Sequence, residues 1–173
     1  DATVTVDILN GTTRTLQLLA SESLGSELRF AVASISEVPG IPGQNVPDRV
    51  AIVEQTIGQL SNGQRSIQLT FDKRFSGAMT LKAFVQQPRS DDTKLIAPFI
   101  KVVDAVRQHG LVSFEAHPDQ QLEASVADVA ASGLTLADSD LVDPPADTSG
   151  RRIALVYRFI QPDYRLSIEE TRF

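Results

Sequence analysis

The sequence predicts an all-β protein: an antiparallel β-sandwich with Greek-key-like connections, about ten strands and little or no helix. Three observations predict it. Apolar and polar residues alternate through most of the chain, turn-forming Gly, Pro, Asn and Asp clusters recur at short intervals, and windows of helical periodicity are few.

The first strand is Thr3–Ile8, where Val4, Val6 and Ile8 fall on every second position. Asn10-Gly11 follows and reads as a hairpin turn, because both residues tolerate positive φ. Leu16, Leu18 and Ala20 then mark a returning strand, and Leu28, Phe30 and Val32 a third. From Val38 to Asp48 the prolines Pro39, Pro42 and Pro47 remove ladder donors, so an irregular loop is expected there. A second hairpin is expected at Asn62-Gly63, between Val50–Leu60 and the alternating Ile67, Leu69 and Phe71. Met79, Leu81, Ala83 and Val85 continue the pattern, and Pro88 to Lys94 reads as a charged turn.

Ile96–Val106 is nearly continuously apolar and fits a central strand covered on both faces, with a short helix over Phe99–Arg107 as the alternative. Leu111–Ala116 and Leu122–Ala127 read as a pair joined across His117-Pro118-Asp119, and Ala124–Ala131 as the place for a helical turn. Asp138–Gly150 is acidic and poor in apolar residues, hence an exposed loop. Arg151–Ile160 and Tyr164–Thr171 close the chain as a hairpin, with Leu155, Tyr157 and Phe159 on one face and Tyr164, Leu166 and Ile168 on the other strand. No repeat of fixed period is evident.

At 173 residues with 42% hydrophobic content, the chain can bury a real core. The organisation expected is one sandwich over 1–173, or a slice of a larger multi-module protein with an internal boundary near 38–48. The net charge is −6, and the second half carries most of it: residues 1–86 hold 7 basic and 8 acidic side chains, residues 87–173 hold 9 and 14. Such a surface repels phosphate, which argues against nucleic acid and anionic lipid as partners. With no Cys, the chain has no disulfides, thiolate metal sites or Cys nucleophile. No apolar run approaches the ~18 residues of a membrane helix. Membrane association is therefore expected only through parts outside this segment, which reads as a mature or excised portion of a longer protein. The partners expected are neighbouring domains of the same chain or other proteins.

Chemistry-bearing motifs are sparse. His109 and His117 lie roughly 25 Å apart along an extended strand, too far to share a metal, and read as turn residues before Gly110 and Pro118. Asp138, Asp140 and Asp143, with Asp147 beyond, offer the carboxylates calcium takes. An EF-hand is excluded, because Asp143 stands where Gly is needed and Ser149 where Glu is needed. The loop therefore reads as solvated, with a calcium site of another type as the alternative. Asp91-Asp92 and Glu169-Glu170 are adjacent on extended chain and point to opposite faces, so neither pair makes an acid/base dyad. No Gly-x-Ser-x-Gly and no phosphate-cradling glycine loop occurs. Tyr157 and Tyr164 are the candidates for a sugar-stacking platform, against cross-strand packing as the simpler use. Arg107, Arg151, Arg152, Arg158, Arg165 and Arg172 are expected to form cross-strand ion pairs with Glu169 and Glu170. No catalytic residue and no cofactor is expected.

Val106–Val112 and Ile153–Ile168 resemble segments of very large uncharacterised bacterial envelope proteins built of successive β modules, over about a fifth of the chain. That resemblance implies an exported, extracytoplasmic setting and carries no activity. The function expected is a non-catalytic scaffold or protein-interaction module of a larger protein. A carbohydrate- or calcium-binding module is the first alternative, and a non-catalytic accessory part of a hydrolase the second.

Overall fold

The computed structural model describes residues 1–22, 28–86, 94–146 and 149–173. The expected Pro88-to-Lys94 turn, the Asp91-Asp92 doublet and Asp147 fall wholly or mostly outside them. Among the described residues are eleven strands, β1 (Ala2–Ser21), β2 (Leu28–Ser36), β3 (Ile52–Ser61), β4 (Gln64–Val85), β5 (Lys94–Ile96), β6 (Ile100–Val102), β7 (Arg107–Ala116), β8 (Gln120–Ala124), β9 (Thr135–Leu136), β10 (Arg152–Phe159) and β11 (Ser167–Arg172). One six-residue helix, α1 (Val126–Ala131), and a 3-10 turn at Ser139–Leu141 complete the set. No helix among them is long and apolar enough to cross a membrane. The all-β antiparallel class read from the alternation is what folds.

The larger sheet runs β2-β4-β1-β7-β10-β9, with β3 added to β4 and β6 to β1; β5-β11-β8 form a second sheet. Two very long strands generate the architecture. β1 and β4 pair antiparallel from Ala2↔Val85 to Ser21↔Gln64, interrupted where Phe71–Arg74 lie opposite Arg14 alone. That three-residue surplus, with Gly77 at φ +114°, bends both strands sharply. The concave side is filled by Phe71 and Phe75, edge to face at 5.1 Å. Each long strand so contributes to two layers, and the sheet curls into a half-barrel. β4 carries β3 along Gln64–Phe71 and β2 along Ala78–Val85. At the mouth, Gln55 Nε2 of β3 donates to the Leu28 carbonyl of β2 at 3.1 Å.

Alternation decides what goes inside. Val4, Val6, Ile8, Leu16, Leu18 and Ala20 of β1 meet Ile67, Leu69, Met79, Leu81, Ala83 and Val85 of β4 in one apolar cluster, all nearly inaccessible. At about 25 cal/mol per Å² of apolar surface buried, this cluster is the main stabilising term. Ile168 of the small sheet, with Leu166 just before β11, closes it.

Several sequence expectations need correcting. Asn10-Gly11 is no hairpin: β1 continues through it without reversing, with Asn10 opposite Gly77. The expected returning strand is the second half of β1, because the 22-residue β4 offers one partner to both halves and buries both in one core. Asn62-Gly63 does form its hairpin, with φ of 52° and 72°, the left-handed pair a two-residue turn requires. Ile96–Val106 is neither a central strand nor a helix. Pro98 and the left-handed Asp104 (φ 64°) break it, and its pieces β5 and β6 belong to different sheets. His109-Gly110 lies inside β7 rather than in a turn. The Leu111–Ala116/Leu122–Ala127 and Arg151–Ile160/Tyr164–Thr171 pairs are not hairpins either: β7 and β10 lie in the large sheet, β8 and β11 in the small one. Both connections cross between sheets, which brings polar ends of several strands together.

Candidate functional site

That meeting point is a cleft of about 200 Å³ between the two sheets. The start of β1, the end of β7, the start of β8, β5 and β11 converge on it, with Arg151 entering just before β10. β7 places its even-numbered residues Val112, Phe114 and Ala116 in the core, so Glu115 points to the other face. His117 and Gln120 sit in the turn that carries the chain to the small sheet; the His117 carbonyl accepts from Gln120 N at 3.0 Å, and Gln120 Oε1 accepts from His117 N at 2.9 Å.

Arg151 is the hub. Its guanidinium pairs with the Asp1 carboxylate, stands 3.7 Å from Glu115 Oε2, and donates from Nε to His117 Nε2 at 3.4 Å. Burial pushes the Glu115 carboxyl above the usual carboxylate range. Glu170 is satisfied separately, accepting from Gln120 Nε2 at 2.8 Å and Arg172 Nε at 2.5 Å. The Arg172 guanidinium is in turn held further toward its charged form by Glu170. Among the described residues the lining includes no Ser, Thr, Lys or Tyr; its ionisable groups are Asp1, Glu115, His117, Arg151, Glu170 and Arg172. On the other side of Arg151 lies a more open groove of about 630 Å³ floored by Phe84 and Val85, with Arg29 stacked 4.9 Å over the Phe84 ring and Pro144 and Pro145 as one wall.

The residues singled out in the sequence take other roles. Asp138 Oδ1 accepts from Asp140 N at 3.0 Å and caps the Ser139–Leu141 turn, while Asp143 pairs with Lys82 of β4. The Asp143–Lys82 pair ties the acidic loop to the large sheet, beside Thr3, Thr5, Ser113 and Glu115. Among the described residues no group of three His, Asp or Glu is placed to hold a metal ion. Tyr157 and Tyr164 are both buried and offer no sugar-stacking face. Tyr164 packs on Phe159 at 5.1 Å, and its hydroxyl donates to the Pro98 carbonyl; burial holds that phenol well above the usual tyrosine range. The aromatic contact expected between the last two segments is real, but it spans the crossover between sheets. His109 and His117 stand at opposite ends of β7. Of the expected ion pairs, Arg172–Glu170 forms, along one strand rather than across two.

Sequence reasoning missed the Arg151–Asp1–Glu115 cluster, whose members come from three separate segments; no local signal marks it. No protein-family model matches the chain, and no curated protein or solved structure is significantly similar to it.

Proposed function

We propose that this chain is a non-catalytic β-sandwich module, a scaffold or protein-interaction domain of a larger exported bacterial protein. The observation that supports it most is the self-compensation of its most polar site. Arg151 is engaged by Asp1, Glu115 and His117, and Glu170 by Arg172 and Gln120, so each charge already has a partner. A catalytic cleft needs a group left free to attack or to exchange a proton with substrate, and the carboxylates and histidine of this lining are engaged by its own arginines. The exported, extracytoplasmic setting rests on the resemblance of Val106–Val112 and Ile153–Ile168 to envelope-protein modules, with neighbouring domains or other proteins as partners.

The test is thermal melting of the purified chain alone, with calcium, and with a panel of glycans, alongside a hydrolase substrate panel. A module of this kind keeps one midpoint in all conditions and turns over nothing. A midpoint raised by calcium or a glycan overturns the reading in favour of a ligand-binding module, because a ligand selective for the native state raises stability. Turnover abolished by Glu115→Gln overturns it in favour of an enzyme.

A further inference from the structure

We propose that the bend of β1 and β4 carries a cationic knuckle that docks a short acidic peptide segment of a partner protein. Three segments meet there: residues 13–15 of β1, residues 71–74 of β4, and residues 48–51, which lead into β3. Arg14 Nε donates to the Phe71 carbonyl at 3.0 Å, and Lys73 Nζ donates to the Arg49 carbonyl at 3.2 Å. Asp72 N donates to the Ala51 carbonyl at 3.0 Å, and Asp72 Oδ1 accepts from Ala51 N at 2.9 Å. Phe71 and Phe75 fill the concave side, and Arg14, Arg49, Lys73 and Arg74 are all exposed.

The three segments hold four cations against two carboxylates, Asp48 and Asp72, a local positive excess on a chain whose net charge is −6. The Asp72 carboxylate is turned to the Ala51 N–H. Among the described residues none of the four cations stands in an ion pair; the pairs that form use Lys82, Arg151 and Arg172. Arg14 and Lys73 are held instead by neutral carbonyls, which position each cation and leave its charge uncompensated. The bulge therefore gathers unmatched charge that regular pairing of β1 with β4 would spread along the strands.

Charge complementarity selects an anion, and the surroundings select its kind. The knuckle is convex, and neither cleft beside Arg151 includes its cations, so nothing there encloses a small ion. Engaging several of these cations takes several carboxylates spaced along a chain, and alternate residues of an extended peptide stand about 7 Å apart. A duplex or an anionic membrane reaches far beyond the knuckle and meets the negative remainder of the molecule, which repels it. A sugar chain stacks on exposed aromatics, and both phenylalanines of the bend are fully buried. A short acidic peptide touches the cations alone, because charges beyond the ~8 Å screening length at physiological salt are largely masked. This docking rests on the interaction-module reading and deepens it by naming a surface and the partner's chemistry.

The probe is a hexaglutamate peptide titrated into the isotope-labelled chain and followed by amide chemical shifts. Saturable shifts are expected to centre on residues 13–15, 48–51 and 71–74, with a Kd of about 1 mM or tighter at about 20 mM salt. Raising salt to about 500 mM is expected to weaken binding at least about tenfold, a test that needs no substitution. Arg49→Glu combined with Arg74→Glu is expected to weaken it at least about tenfold with an unchanged circular dichroism spectrum, whereas Arg158→Glu, an exposed cation of β10, leaves it within about twofold. Absence of saturable shifts overturns the docking, as do shifts centred elsewhere or a double variant no weaker than Arg158→Glu. Tighter binding of a DNA duplex or of phosphatidylglycerol vesicles at the same residues overturns the partner's chemistry. None of these results touches the melting and turnover tests of the module reading, and a calcium-raised midpoint or turnover at the cleft leaves the peptide contact where it is.

Discussion

Replacing Gly110 by alanine tests how tightly β1, β7 and β10 are joined. Gly110 lies opposite Val6 on one side and Phe159 on the other. A Cβ there would stand 1.8 Å from the Thr5 carbonyl oxygen and 2.9 Å from Phe159 Cζ. Real Cβ atoms do not approach closer than 3.0 Å, so the β1 carbonyl would have to retreat by at least 1.2 Å, from 1.8 to 3.0 Å. Both neighbours are poorly able to move: one is backbone in a central ladder, the other a fully buried ring. Overpacking of a close-packed core costs roughly 1–3 kcal/mol. Stretching one or two ladder hydrogen bonds adds about 1 kcal/mol each. The expected loss is therefore about 2–5 kcal/mol, a large share of the roughly 5–15 kcal/mol that holds a domain together. At about 2–4 °C per kcal/mol for a chain of this size, the melting midpoint should fall by about 4–20 °C. The assay is urea and thermal denaturation followed by circular dichroism, with Gly133→Ala as control. Gly133 has a left-handed φ of +63° and no atom within 4 Å of its Cβ position, so its cost is conformational only, about 1 kcal/mol. A Gly110→Ala loss no greater than that of Gly133→Ala would refute the steric argument.

Three further outcomes are expected. Tyr164→Phe removes the hydroxyl that donates to the Pro98 carbonyl and leaves a buried acceptor unsatisfied, so stability should fall by about 1–3 kcal/mol in urea titration; a change under ~0.5 kcal/mol would sink the claim that this bond fixes the crossover. Asp128 accepts from Ser167 across to the small sheet, which holds its carboxyl below the ordinary range. A depressed folded pKa contributes stability above the unfolded value and loses it as pH falls through the folded one. Asp128→Asn should therefore melt lower than wild type at neutral pH and converge with it in the acid range; a difference independent of pH would contradict this. Glu115 is the opposite case. Its raised carboxyl pKa means the folded state holds the proton more tightly, so its stability contribution declines as pH rises from the ordinary glutamate range through the folded value. Melting of Glu115→Gln against wild type from acid to neutral pH should show the variant gaining relative stability, and a widening deficit would reverse the sign.

Legibility of the fold divides by the range of the interaction. Burial alternates where the residues alternate, from Val4 to Ile8 and from Met79 to Val85, because each side chain of a strand has only two faces to choose between. The Asn62-Gly63 turn was legible for the same local reason, since both positions accept left-handed φ. An N-cap was legible too: Ser125 Oγ accepts from Asp128 N at 3.3 Å and starts α1. Asn10-Gly11 carries the same turn signal as Asn62-Gly63 and yet is strand, because a hairpin there would give up the partner that β4 supplies to both halves of β1.

The candidate site was hardly legible at all. Arg151, Asp1 and Glu115 meet only because β1, β7 and the entry to β10 end at the same side of one sheet. Nothing in the residues around each of them records that meeting. By itself, then, the sequence determined the class of structure, the face each strand buries and the second hairpin, all consequences of backbone geometry over a few residues. The tertiary structure alone decided which strands pair, where the long strands bend, and which charges converge. Those outcomes depend on how the whole apolar surface is closed, and no short stretch of the chain contains that information.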